Sequence, residues 1–148
     1  GLDEALLREM SSMRRKATAL SVSMLDIDNF KRLNDSLGHE AGDGALVHLA
    51  NVTRRHIRPS DTLARYGGEE FVILMPDTTL DEGVEVITRL QRELTKAIYL
   101  SGNERVLITF SAGVAQVALD EGSGDALRRA DQAMYLAKRA GKNRVFGG

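Results

Sequence analysis

Two extended runs, Asp61 to Tyr66 and Phe71 to Met75, flank the pair Gly67-Gly68, and Glu69-Glu70 follow at once. Strand-like segments separated by a glycine pair read as a tight antiparallel hairpin. Its turn residues need positive φ, which glycine adopts without steric cost. The hairpin places two adjacent carboxylates, Glu69 and Glu70, at its tip. Like charges side by side repel, and the arrangement is tolerated best where a cation neutralises them. Taken alone, the hairpin is equally consistent with a solvated turn bearing two surface glutamates.

A second segment, Leu20 to Asp28, reads LSVSMLDID. Leu20, Val22 and Met24 share one face of an extended strand, and Asp26 and Asp28 fall on that face by the period of two. Apolar residues giving way to acids mark a strand leaving the core at an edge of the domain, where open α/β sheets commonly bind ligands. Asn29 to Asn34 begins a helix with Phe30, Leu33 and Leu37 on its inward face, and Lys31 stands at its start. Free N–H groups at a helix start favour phosphate. Acids, an anion-binding helix start and a lysine suit a metal-bound nucleotide, because magnesium is held by one or two carboxylates plus substrate phosphates.

The remaining elements alternate. The sequence predicts a helix over Asp3–Lys16 with Leu6, Leu7, Met10 and Met13 inward, and another from Asp43 to Ile57 with Leu46, Leu49 and Val52 on one stripe. Thr79 to Glu82 forms a capping box for a helix whose inward residues are Val84, Ile87, Leu90 and Leu94. Arg105 to Val117 reads as one strand kinked at Gly113, followed by a helix over Asp125–Ala140 stopped by Gly141 and a last strand at Arg144–Phe146. The expected class is α/β (α+β), a single, mostly antiparallel sheet of about five strands covered by helices. All 148 residues are assigned to one domain, 43% hydrophobic and large enough for one sizeable core. A net charge of −1 leaves no broad cationic footprint for nucleic acid or an anionic membrane. The absence of cysteine excludes disulfides and fits a reducing cytosol.

Five segments in order, DIDNFKRLND at 26–35, GHEAGD at 38–43, RYGGEEF at 65–71, ITFSAGVA at 108–115 and ADQAMYLAKRAGKNRV at 130–145, resemble the GGDEF domain of the diguanylate cyclases, in its GGEEF form. Co-linear motifs from about Leu20 to Val145 make the likeness specific, whereas a lone GGEE would be weak. The resemblance implies a palm-like nucleotide-cyclase core, βααββαβ, and an enzyme that condenses two GTP into cyclic di-GMP and two pyrophosphates. It implies Asp26, Glu69, Glu70 and the Ile27 carbonyl as ligands for magnesium, or manganese in its place, with Glu69 and Glu70 as the catalytic carboxylates. It assigns Phe30, Lys31, Asn34, His39, Asp43, Lys138 and Lys142 to the substrate. Asn34 and Asp43 read guanine, whose adjacent N1–H and amino donors suit a carboxylate.

Arg58-Pro59-Ser60-Asp61 further matches an Arg-x-x-Asp pattern that in the family binds the product as inhibitor, and Arg89 stands where a second arginine often completes it. Eleven positions of mostly extended chain put this site roughly 20–30 Å from Glu69, at ~3.3 Å per residue. One GTP site cannot close a ring from two nucleotides, so a transient two-fold homodimer is implied. The start at Gly1, without the family's full opening segment, reads as a fragment whose upstream sensory or receiver domain is missing. The expected location is the cytoplasm, with no membrane insertion by this domain. The competing reading is a catalytically silent module that binds GTP or cyclic di-GMP in signalling; the intact glutamates argue against it.

Overall fold

A computed structural model describes all residues from Gly1 to Gly148. Helix α1 (Leu2–Lys16) carries Asp3 and Glu4 in its first turn and Arg14, Arg15 and Lys16 in its last, which complements the helix dipole. The elements that follow are β1 (Leu20–Ile27), α2 (Phe30–Leu37), α3 (His39–His56), β2 (Thr62–Arg65), β3 (Glu70–Pro76) and α4 (Leu80–Lys96). The chain continues through β4 (Tyr99–Ser101), β5 (Glu104–Val106), β6 (Phe110–Gln116), α5 (Ser123–Arg139) and β7 (Val145–Gly147). Five strands form one sheet in the order β2-β3-β1-β6-β7, antiparallel except where β7 runs parallel to β6. The expected α/β class and mostly antiparallel five-stranded sheet are observed.

Strand β1 is central and buried along its whole length. Its alternate faces feed two cores. Leu20, Val22 and Met24 pack with Leu6, Met10 and Leu127 from α1 and α5, while Leu25 and Ile27 pack with Leu49 and Ile87 from α3 and α4. Ser21 and Ser23 point into the second side without cost, because their hydroxyls donate to the carbonyls of Thr78 (2.8 Å) and Gly113 (3.0 Å). The Thr79–Glu82 capping box closes as expected at the start of α4.

Several local expectations are corrected. Leu7 and Leu37 are exposed: the stripe of α1 that meets the sheet is Ala5, Leu6, Met10 and Met13, and α2 is a short surface helix with no fully buried residue. Helix α3 begins at His39, four residues before the expected Asp43, and only Gly38 (φ 92°) separates it from α2. The hairpin turn is longer than the tight form. Residues 66–69 form the loop, the Tyr66 and Gly67 N–H groups both donate to Glu70 O, and neither Gly67 nor Gly68 adopts positive φ.

The strand expected over Arg105–Val117 is broken. Residues from Tyr99 to Val106 form a separate small hairpin, β4–β5, turning at Gly102 (φ 63°), before β6 starts at Phe110. Gly113 does not kink β6. A Cβ there would lie 2.0 Å from the Ala130 carbonyl oxygen and 2.4 Å from the Met134 nitrogen, so glycine permits the α5 backbone to lie directly on the sheet.

Candidate active site

Antiparallel pairing sets the centre of the site. The end of β1 lies beside the beginning of β3 and the beginning of β6, with Asp26 opposite Glu70 on one side and Ser111 on the other. The hairpin loop therefore delivers Glu69 and Glu70 to Asp26, although 43 positions or more separate them in sequence. Asp26 is 5% exposed, and Glu69 and Glu70 are half-buried. Ile27 is the last residue of the strand; its side chain is buried in the core, so only its main-chain atoms are offered to the site.

Charge here is poorly compensated. The Lys138 ammonium, from the last turns of α5, pairs with Asp26 Oδ1, which has no other partner. Burial nevertheless pushes the Asp26 carboxyl up to about 6 from its ordinary 3.8; Lys138 opposes the shift, and the neighbouring Glu69 and Glu70 add to it. Glu70 is also raised, first by burial and then by Asp131 on α5. Asp131 and Lys138 are seven residues, two helical turns, apart on α5 and so share a face. Asp131 was not singled out in the sequence; this spacing is the signal that points to it. With Tyr66, Glu70, Arg128 and others it lines a groove of 510 Å³ between α1 and α5.

A small hard cation fits this donor set. All the donors are carboxylate or carbonyl oxygens, and a buried carboxylate with a raised pKa gains from added positive charge. The carboxylates do not converge into a closed cage of three, which suits an ion that takes its remaining ligands from phosphate and water.

Helices α2 and α3 form a second wall. Phe30 and Asn34 both lie over Gly42, where a Cβ would come 1.8 Å from Asn34 Oδ1 and 3.2 Å from the Phe30 ring. Asn34 Oδ1 is buried and accepts no hydrogen bond. Asp43 is exposed and lines a groove of 350 Å³ with Leu46, Val47, Leu63, Arg65 and Phe71. His39, one helical turn before Asp43, is exposed, as is Lys31. The Lys142 ammonium reaches the start of α2, where it donates to Asn29 Oδ1 at 2.6 Å. Asp28, which the strand pattern groups with Asp26, is instead buried and saturated by hydrogen bonds.

Arg58 and Asp61 lie elsewhere. The Asp61 side chain is 2% exposed; it accepts from the Arg58 backbone N–H (2.8 Å) and from Arg58 Nη2 (3.0 Å). Arg58 Nη2 also reaches Pro76 O (2.6 Å) and Thr78 Oγ1 (2.8 Å). Pro76 and Glu70 are opposite ends of β3, so about 20 Å separates the two sites at ~3.3 Å per residue. Arg89 is exposed on α4, beside a shallow groove that it shares with Asp81, Glu85 and Arg92 but not with Arg58.

The model of the family described as diguanylate cyclase, GGDEF domain, matches residues 1–144. Diguanylate cyclase DgcP of Pseudomonas aeruginosa is 41% identical over 144 residues, 97% of this chain and 22% of that protein. The response regulator PleD of Caulobacter vibrioides is 36% identical over 94% of this chain and 32% of its own length. The chain thus spans less than two-fifths of these curated relatives. Among solved structures, the GGDEF domain of DgcB from Caulobacter crescentus in complex with c-di-GMP superposes with a TM-score of 0.93 at 33% identity, covering 99% of this chain and 87% of that one. The active GGEEF domain of a diguanylate cyclase from Vibrio cholerae gives 0.87 at 33% identity, over 95% and 89% of the two chains. Sequence, sheet topology and the carboxylates at the β1–β3 junction agree, and this chain belongs to the GGDEF domain family of the diguanylate cyclases.

Proposed function

We propose that this domain condenses two GTP molecules into cyclic di-GMP and two pyrophosphates. The carrying observation is the register of Asp26 against Glu70, which assembles three carboxylates and Lys138 at one end of the sheet. Asp26, Glu69, Glu70 and the Ile27 carbonyl would hold magnesium, with manganese able to replace it. When bound, the ion neutralises phosphate charge and stabilises the leaving pyrophosphate. Glu69 accepts the proton of the attacking 3′-hydroxyl. Lys138, freed from Asp26, moves its charge to the phosphates, joined by Lys142 and Lys31, and positioning with electrostatics does most of the catalysis.

Guanine is read on the α2–α3 wall. The unpartnered Asn34 Oδ1 offers an acceptor, and the Asp43 carboxylate accepts both N1–H and the amino group. Adenine presents an acceptor at N1 and is repelled. Phe30 packs at the base of this wall and His39 flanks it. Two such domains must face each other about a two-fold axis, because each supplies one nucleotide to the ring.

Arg58, with Asp61 and Arg89, is proposed to bind the product as an inhibitor. Arg58 is half-exposed and its Nη1 donates to no protein group, leaving it for a phosphate oxygen. That the related DgcB domain is seen with c-di-GMP supports product binding in this fold.

Incubation with GTP and magnesium, followed by separation of nucleotides, tests the proposal. Cyclic di-GMP and pyrophosphate should appear, with specific activity rising as protein concentration rises. Recovery of unchanged GTP alone, from folded protein at high concentration, would establish the silent binding module instead.

A further inference from the structure

The turn after α5 is held in an unfavourable conformation. Gly141, Lys142 and Asn143 have φ of 130°, 65° and 51°, three successive residues in the positive region. For Lys142 and Asn143 this costs on the order of 1–3 kcal/mol each, so the surroundings must impose it. The turn is held by the Gly141 and Lys142 N–H groups, which donate to Lys138 O (3.3 Å) and Ala137 O (3.1 Å), by Arg144 Nε on Lys142 O (3.0 Å), and by Asp28. Its Oδ2 accepts the Asn143 backbone N–H at 2.9 Å and the Thr109 hydroxyl at 2.7 Å, and its Oδ1 accepts the Ser111 hydroxyl at 2.6 Å. The Asp28 N–H in turn donates to Thr109 O at 2.9 Å. Asp28 is 8% exposed, and each of its oxygens is occupied. One carboxylate therefore joins the end of β1, the entry to β6 and the turn.

The consequence reaches Lys142. A left-handed residue projects its side chain in a direction that the same residue in an extended or helical turn would not. Here that direction carries the ammonium to Asn29 Oδ1, at the start of α2. Asn29 is itself left-handed (φ 57°) and adjoins Asp28 in sequence. Both partners of the Lys142–Asn29 contact are thus fixed by bonds to, or beside, Asp28.

We propose that Asp28 is a positioning residue for the substrate's phosphates. It holds the strained turn through the Asn143 N–H, so that Lys142 stands over the α2 start where a triphosphate would lie. This rests on the reading of Lys142 as a phosphate contact, and it assigns Asp28 no metal and no substrate atom. The two acids of the DID segment then have separate tasks: Asp26 faces the cation, and Asp28 faces the scaffold that aims a lysine.

The test is a mutant cycle read in steady-state KM for GTP, with the inhibition constant of GMP, which lacks the outer phosphates, as control. Lys142→Ala and Asp28→Ala should each raise KM for GTP by about tenfold, the worth of a charge-assisted contact. The double variant should be no worse than Lys142→Ala, and the GMP constant should change little in any of them. Asp28→Asn, which keeps an acceptor for the Asn143 N–H, should restore most of the loss. Thr109→Val, which removes a different partner of the same carboxylate, should lower the melting temperature and leave KM unchanged. If Asp28→Ala does not fold, Asp28→Ser, too short to reach Asn143, replaces it. Losses that add in the double variant, or that fall equally on GTP and GMP, overturn the proposal, as does an unchanged KM in Asp28→Ala. An unchanged KM in Lys142→Ala would instead remove Lys142 from the phosphates, and the role of Asp28 with it.

Discussion

At the Pro76 end of β3, Arg58, Asp61, Pro76 and Thr78 satisfy one another through a closed set of hydrogen bonds, and Asp61 is buried with its charge matched. At the Glu70 end, Asp26 pairs with Lys138 while Glu69, Glu70 and Asp131 make no ion pair, and burial holds two of the four carboxyls above their ordinary range. The same strand thus ends in a saturated cluster on one side and an under-compensated one on the other. Saturated polar clusters fix a fold, because removing one member leaves a buried partner stranded. Under-compensated charge is tolerated where a ligand arrives to complete it. On this contrast, the proposed chemistry belongs to the Glu70 end, and the proposed product site at the Pro76 end is built on a structural clasp in which buried Asp61 holds the exposed edge of Arg58 in place.

Substitutions at the two ends should separate activity from stability. Glu69→Gln should have the largest effect, lowering the rate of cyclic di-GMP formation by about 10²–10⁴-fold, the range for loss of a general base. Its melting temperature should stay near that of the parent, since Glu69 is in a loop and makes no hydrogen bond or ion pair within the protein. A variant that still forms product at near-parental rate would remove Glu69 from the mechanism. Next, Asp43→Asn should weaken GTP binding by about 10–100-fold, because an acceptor facing guanine's donors becomes a donor. ATP analogues should be affected far less; equal losses in a titration would make Asp43 a support for α3 and not a reader of the base.

At the other end the order reverses. Arg58→Ala should leave the initial rate almost unchanged while destabilising the fold by about 1–3 kcal/mol, the cost of stranding the buried Asp61. It should also raise the product concentration needed for inhibition. Calorimetry showing parental affinity for cyclic di-GMP would end the inhibitory reading and leave Arg58 a clasp alone.

How much of this was legible in the sequence follows the same division. Asp26, Glu69 and Glu70 are named by local patterns, a strand running into acids and a glycine pair before glutamates, and antiparallel pairing alone brings them together. Lys138 could be placed near phosphates by family likeness, but its ion pair with Asp26 could not, because α5 crosses the sheet only after five further strands. Asp28 looked like a second site acid since the period of two cannot tell a solvated carboxylate from one whose partners, Thr109, Ser111 and Asn143, lie more than eighty residues away. Gly113 misled for a related reason: a kink and a close helix crossing both demand glycine. The β4–β5 hairpin escaped because its strands are three residues each, too short to show a period.

Thermal melting of Asp26→Asn against the parent, metal-free and at two pH values, tests most directly whether the Glu70 end is kept at a cost. The folded pKa of Asp26 is raised from 3.8 to about 6, so the folded protein holds this proton more tightly than the unfolded chain. The stability it contributes is full below about pH 4 and is lost as pH rises through about 6. Above that, the ionised carboxylate costs up to about 3 kcal/mol, at 1.36 kcal/mol for each pKa unit. At pH 8 the Asp26→Asn protein should therefore melt several degrees higher than the parent, at ~2–4 °C per kcal/mol for a chain of this size. At pH 4 the two should melt together. An Asp26→Asn protein that melts below the parent at pH 8 would mean that Asp26 and Lys138 form a stabilising clasp like Arg58 and Asp61, and the contrast between the two ends of β3 would be false.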